Sequence, residues 1–253
     1  MTDAPSFLAP RPPDGTKLEM DFLDSTFFKT PGQRLPTPAE VRALSTDLYT
    51  SPQPKPITFR NPDIFVKFGR YVTVAEAQCL WMLQRVFQGT VPVPEPFGWR
   101  VDDEGFVIHP FTHQNLPDYT STTGSPPSLP QSRLPASLEY KDPCRDLLPD
   151  DGAVTFSHAD LHRGNIMISS SAPFRVLAVV DWGQAAWYPD YWEYCKALYT
   201  CWYEDEWRRD WVNRFLSPRL LEPQVFSEYT MAIGAVWIGL ILERGGGGGA
   251  LPG

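Results

Sequence analysis

His158-Ala159-Asp160-Leu161-His162-Arg163-Gly164-Asn165, followed after an apolar run by Asp181-Trp182-Gly183, is the stretch on which the reading of this chain turns. Its layout is H-x-D-L-x-x-x-N and then D-x-G. Phosphoryl transfer accounts for that spacing: one carboxylate accepts the proton of an acceptor hydroxyl, an amide five residues on holds a metal ion, and a second carboxylate binds metal across the phosphates. Asp160 is thus the candidate base, and Asn165 and Asp181 are the candidate metal ligands. The plainer alternative is a loop in which Asp160 and Asn165 make Asx turns and His158 caps a carbonyl.

The same chemistry needs a cation on the phosphates, held by a carboxylate from a helix. Lys67 lies in a β-rich run, and Glu76 follows nine residues later at the start of a helical pattern. The competing reading makes Lys67 an edge-strand lysine and lets Glu76 close a capping box with Thr73.

Working outward, Thr37-Pro38-Ala39-Glu40 carries a capping hydroxyl, Pro at the first helical position and Glu three residues after the cap, which predicts a helix to about Leu48. Ile57–Arg60 and Ile64–Phe68 flank the turn residues Asn61-Pro62-Asp63 and predict a hairpin. Thr73 opens a helix whose apolar residues Ala77, Leu80, Leu83 and Phe87 recur at helical spacing until Gly89. Strands are expected over Val91–Trp99 and Phe106–Ile108, around the turn Asp102–Gly105. Residues 113–150 hold seven of the 27 prolines and no apolar period, so they read as a Pro/Ser-rich linker. Strands return at Val154–Phe156, Ile166–Ile168 and Val176–Val180, and helices follow near Tyr191–Tyr203, Asp205–Phe215 and Gln224–Arg244. The resulting plan is a flexible N-terminus over 1–19, a strand-rich lobe over 20–112, the linker, a mostly helical lobe over 151–244 and a flexible glycine-rich tail over 245–253.

Val66-Lys67-Phe68-Gly69, Glu76-Ala77, Val91-Pro92-Val93-Pro94, the His158–Asn165 loop and Val180-Asp181-Trp182-Gly183 together resemble, in order, the aminoglycoside phosphotransferase and choline kinase-like family, especially its fungal branch. Trp187-Tyr188-Pro189-Asp190-Tyr191-Trp192-Glu193-Tyr194 is similar to the segment that follows the metal-binding Asp in that family. The resemblance covers about residues 20–112 and 143–205. It implies an α+β, bilobal protein-kinase-like fold: an N-lobe antiparallel sheet with one long helix, and a mostly helical C-lobe that is incomplete here. It also implies ATP as donor, magnesium, and a small-molecule hydroxyl acceptor. Residue by residue, it makes Lys67 the phosphate-contacting lysine, Glu76 its partner, Asp160 the base, Asn165 and Asp181 the magnesium ligands, and His158 the histidine that braces the catalytic loop.

The chain departs from the family at three places. Gly183 stands where the family has Glu after Asp-Trp. Only 49 residues separate Ile108 from His158, without the acidic hinge, glycine turn and helices of the family. No G-x-G-x-x-G precedes Lys67. The short centre leaves open a non-catalytic kinase-like protein, or a truncated product with impaired activity, as the alternative.

Composition sets the outer limits. With 253 residues, 42% hydrophobic, the chain can bury a large core, and its net charge of −8 without a Lys/Arg run argues against nucleic acid as partner. The start is polar and proline-rich with no secretory pattern, and the longest apolar run, Met231–Leu242, is short for a membrane span and reads as a buried helix. A cytoplasmic protein with no membrane partner is expected, its four cysteines free and mostly buried. A metal-dependent hydrolase could use His109, His113, His158 and His162, but Pro110 breaks the helix that such a site needs. Acidic residues at Asp190, Glu193, Glu204, Asp205, Glu206 and Asp210 could draw a cationic acceptor, although a solvated helix face is the commoner meaning.

Overall fold

Ile64, Val66 and Phe68 alternate with Phe65 and Lys67, and a strand sends the two sets to opposite faces of a sheet. The structure, a computed structural model, describes residues 10–51, 54–60, 63–87, 89–112, 147–149, 151–201 and 203–232. They group into two compact units, one within Met1–Thr122 and Gly164–Ala185, the other within Thr123–Arg163 and Ala186–Gly253. The chain leaves the first unit and returns to it, so His158 and Asp160 belong to the second while Asn165 and Asp181 belong to the first.

In the first unit, β1 (Glu19–Asp21), β2 (Ile57–Arg60), β3 (Asp63–Gly69), β4 (Gly98–Val101) and β5 (Val107–Thr112) form one antiparallel sheet in the order β1-β4-β5-β3-β2. Ile64, Val66 and Phe68 pack with Val41, Phe97 and Ile108 on one face. A second cluster, built on Phe22, Ala77, Trp99 and Val107, includes a residue of helix α2 (Val74–Phe87). That helix also buries Leu80 and Leu83, each worth about 1.5–3 kcal/mol when fully removed from water. Helix α1 (Pro38–Leu44) starts on the complete capping box of Thr37 and Glu40.

Three local expectations need correction. Helix α1 stops at Leu44 and not near Leu48, because Ser45 turns extended and its Oγ accepts the amide of Leu48 in a new turn. Residues 91–97 are not a strand: Pro92, Pro94 and Pro96 lack amide donors, and pairing is confined to a bridge between Pro96 and Phe111. Strand β1 was not foreseen, since three residues carry too little pattern to read. The chain just before it is engaged too, with Trp99 Nε1 donating to the Lys17 carbonyl at 2.8 Å. Gly98 makes the β1–β4 pairing possible, because a Cβ there would lie 2.0 Å from the Met20 carbonyl oxygen.

The short hairpin of β7 (Ile166–Ile168) and β8 (Val176–Val179) is tied to this unit by the Val179 amide, which donates to the Pro92 carbonyl at 2.8 Å.

In the second unit, β6 (Val154–Ser157) pairs with β9 (Ala186–Pro189), a strand the sequence reading lacked. Helix α3 (Trp192–Tyr199) is shorter than expected. It packs Tyr194, Ala197 and Leu198 against Val212 of α4 (Val212–Phe215), which continues a π-helical turn at Trp207–Trp211. Its other side sets Cys195 against Phe226 of α5 (Glu222–Ala232). Antiparallel sheet and helices together are compatible with a kinase-like fold. Of the described cysteines only Cys195 is buried, while Cys79 and Cys201 are half-buried, and all three are free. Among the described residues no helix is long and apolar enough to cross a membrane. The expectations for the linker apart from 147–149, for residues beyond Ala232, for the Asn61-Pro62 turn, for His113 and for Cys144 lie outside the described residues.

Candidate active site

Strand β3 and helix α2 bring Lys67 and Glu76 together. Lys67 Nζ donates to Glu76 Oε1 at 2.9 Å and Oε2 at 3.0 Å, and to Asp181 Oδ1 at 2.7 Å. The two sequence readings of Glu76 divide between its atoms: its amide donates to Thr73 Oγ1 at 3.4 Å, as a cap requires, while its carboxylate turns to the lysine. Burial works against the Lys67 ammonium, but the Glu76 and Asp181 carboxylates outweigh it and raise its pKa above the ordinary value. Glu76 is also raised, first by burial, with Lys67 pulling down and the Asp181 charge adding to the rise. One cation thus holds two carboxylates, Glu76 buried and Asp181 half-buried, and removing it would leave like charges facing each other.

Asp181 lies two residues past the end of the apolar strand β8, in the left-handed region at φ 65° and ψ 56°. Ala159, at φ 62°, is the other non-glycine residue so placed among the described residues. Such backbone is costly for a side chain and persists only where its surroundings impose it. Both residues belong to the motif segments. Next to Asp181, the Val180 amide donates to the Asn165 carbonyl at 2.9 Å, so the β7–β8 hairpin fixes Asn165 and Asp181 at the same end. Gly183 is not required by space, since a Cβ there would meet Asp181 Oδ1 and Glu76 Oε2 at 3.7 Å, an ordinary contact.

The donor chemistry suits magnesium. One carboxylate and one side-chain amide are hard oxygen ligands, and magnesium is commonly held by one or two carboxylates with the remaining positions filled by phosphate oxygens and water. Among the described residues no group of three His, Cys, Asp or Glu side chains could hold a metal by itself. Of the histidines in the hydrolase reading, His113 lies outside the described residues, and His109 is fully buried on β5 with neither ring nitrogen bonded among the described residues.

In the second unit the loop 158–161 is pinned from α3. The Ala159 amide donates to Glu193 Oε2 at 3.0 Å, and the Asp160 amide donates to His158 Nδ1 at 3.2 Å. His158 and Asp160 are both buried. Burial raises Glu193, opposed by the backbone amides of Ala159, His158 and Leu161, while the charge of Asp160 adds to the rise. One turn later on the same face, Lys196 is buried too. Burial lowers its pKa, against the pull of the Asp160 and Glu193 carboxylates. Sequence reasoning did not single out Lys196, and it placed Glu193 only among the acidic residues of a solvated face. The available signal was a pair of charges at i and i+3 inside an aromatic and apolar helix, where a solvated face would not put them. Four of the other acidic residues have partners: Asp190 with Arg219 at 2.8 Å, Asp205 with Arg163 at 2.9 Å, Asp210 with Arg209 at 2.6 Å, and Glu206 with Trp211 Nε1 at 3.2 Å.

Above Lys67 in the first unit, a cavity of about 50 Å³ is lined by Phe65, Leu80, Phe111 and Val180 on its apolar side and by Lys67, Glu76 and Asp181 at its charged end. The cavity is thus an apolar slot ending in a cation and two carboxylates. Residues 108–225 match the model of the APH family, described as the phosphotransferase enzyme family. The matched segment, a little under half of the chain, contains His158, Asp160, Asn165 and Asp181 and begins beyond Lys67 and Glu76. It supports the phosphotransferase resemblance on residues that do not include the lysine pair. No curated protein matches the chain.

Proposed function

We propose that this chain is an ATP-dependent phosphotransferase that moves the γ-phosphate to a hydroxyl of a small molecule, in the manner of the aminoglycoside phosphotransferases and their fungal branch. The observation that carries the reading is the convergence of Lys67, Glu76 and Asp181 from three separate stretches of sequence, with Asn165 fastened beside Asp181. In this reading Lys67 holds the nucleotide phosphates and Glu76 keeps the lysine oriented. Asp181 and Asn165 hold magnesium, which when bound neutralises phosphate charge. Asp160 accepts the acceptor proton, and His158 shapes the loop that carries it. The acceptor is a small alcohol and neither nucleic acid nor membrane takes part, consistent with the net charge of −8. The setting is cytoplasmic, where free thiols such as Cys195 need no partner.

Calorimetric titration with ATP, with and without magnesium, tests the site directly, and an acceptor screen read as ADP release tests the reaction. Asp181→Asn should abolish the magnesium-dependent part of ATP binding, because the amide has lost the charge that the metal requires. Unchanged affinity in that variant would remove Asp181 from the metal site.

A further inference from the structure

Asp160 and Lys196 are each almost out of reach of water, at 4% and 6% exposure, and among the described residues of the second unit they are the one buried carboxylate and the one buried lysine or arginine. Charged side chains are seldom buried so completely unless they are paired, because the interior does not replace the hydration they give up. The backbone brings the two into one neighbourhood. Lys196 stands three residues after Glu193 on α3, where side chains at i and i+3 are neighbours on the helix surface. The Glu193 carboxylate in turn receives the Ala159 amide at 3.0 Å, and Ala159 is the residue before Asp160. Asp160 and Glu193 are the charges that act on the Lys196 ammonium, pulling up a pKa that burial depresses. From the neighbouring elements, His158 Nδ1 accepts the Asp160 amide at 3.2 Å and Tyr188 of β9 feels the Glu193 charge. Arg208, Arg219 and Glu222 act instead on Tyr194 and Cys195, other residues of α3.

We propose that Lys196 is a positioning residue for phosphate transfer: its ammonium balances the Asp160 and Glu193 carboxylates beside the loop 158–161 and so keeps Asp160 ionised and able to take up a proton. The inference rests on the reading of Asp160 as the base and adds to it the residue that maintains its charge. A carboxylic acid buried without a cation keeps its proton up to a higher pH, and a protonated Asp160 cannot accept the proton of an acceptor hydroxyl. Glu193 alone would make that worse, since one negative charge favours protonation of another nearby. Lys196 offsets both effects. In the transfer step the hydroxyl proton goes to Asp160, and Lys196 neither gains nor loses one.

Carboxyl-carbon NMR of the full chain, with isotopically labelled aspartate and lysine and no ligand, reads Asp160 directly, its signal assigned by its loss in Asp160→Asn. Lys196→Met keeps the apolar stem of the lysine and removes its charge. It should move the Asp160 midpoint up by about 1–3 pH units, the span by which an opposite charge a few ångströms away shifts a carboxyl group. Lys196→Arg keeps the charge and should leave the midpoint within about 0.5 unit of wild type. A folded methionine variant whose Asp160 titrates with the wild type overturns the proposal. An arginine variant shifted as far as the methionine one traces the effect to packing and overturns it too. If the methionine variant does not fold, the wild type decides. As Lys196 gives up its proton at alkaline pH, seen at its Cε, the Asp160 signal should shift with the same midpoint, and a flat Asp160 signal through that step overturns the proposal. Where an acceptor is found, the acid limb of kcat/KM in Lys196→Met should move up by as much as the NMR midpoint, whereas a lower rate with an unmoved limb would make Lys196 a structural residue only. The titrations need no turnover, so the two failures are told apart. An uncoupled pair with transfer intact removes Lys196 alone, and a coupled pair in a chain that transfers nothing removes the phosphotransferase reading and with it the role of Lys196.

Discussion

Replacing His109 by leucine should make the chain less sensitive to acid, by an amount that follows from where the imidazole sits. His109 is 0% exposed, and neither ring nitrogen has a hydrogen-bond partner among the described residues. Burial lowers its pKa from 6.5 to about 3, with the positive charge of Lys67, its register partner on β3, pushing the same way. The folded chain therefore keeps His109 neutral, whereas the unfolded chain takes up a proton as pH drops below about 6.5. Stability that is fully present above that pH is lost progressively as the pH falls toward 3. Each pH unit below 6.5 costs about 1.4 kcal/mol, so the drop from pH 7 to pH 5 removes roughly 2 kcal/mol, a large share of a typical domain's stability of about 5–15 kcal/mol. Leucine at this position has nothing to protonate and leaves no unpaired nitrogen in the core, so His109→Leu should be at least as stable as wild type at pH 7. Urea unfolding at pH 7 and pH 5, followed by tryptophan fluorescence, measures both proteins. The gap between them should widen by about 2 kcal/mol at the lower pH. Parallel loss of stability in the two proteins would mean that His109 is not held neutral in the folded chain.

Two further outcomes follow from the loop 158–161. Asp160→Ala should leave magnesium ATP binding within about twofold and reduce phosphate transfer by about a hundredfold or more, since a positioned base acts in the transition state. Transfer at the wild-type rate would show that another group takes the proton. Glu193→Ala removes the acceptor of the Ala159 amide, whose left-handed backbone needs an external hold, and should speed hydrogen exchange of the loop amides at least tenfold. Glu193→Gln retains an acceptor oxygen and should exchange nearly as slowly as wild type. Equal protection in all three proteins would show that Glu193 does not hold the loop.

What could be read from the sequence was whatever is written in neighbouring residues. The capping box at Thr37 and Glu40 and the apolar spacing of Ala77, Leu80 and Leu83 are local patterns, and local hydrogen bonding and one-sided burial turn them directly into helices. The spacing of Asp160, Asn165 and Asp181 was legible for a similar reason, because the metal and proton chemistry proposed for them asks for particular side chains at short separations. Tertiary structure decided everything that depends on long-range approach. Glu76 could have served its own cap with its carboxylate. It faces Lys67 instead because β3 and α2 pack with those side chains turned toward each other, where a half-buried ammonium bonds to two carboxylates. Glu193 reads as surface charge until the fold brings α3 under a loop 34 residues upstream in the chain. Phe65 and Phe111 are ordinary strand residues until the register of β3 against β5 puts their rings together over Lys67. Sequence spacing identifies the atoms able to do the chemistry, but the volume beside them depends on side chains from distant strands, and only packing sets that volume.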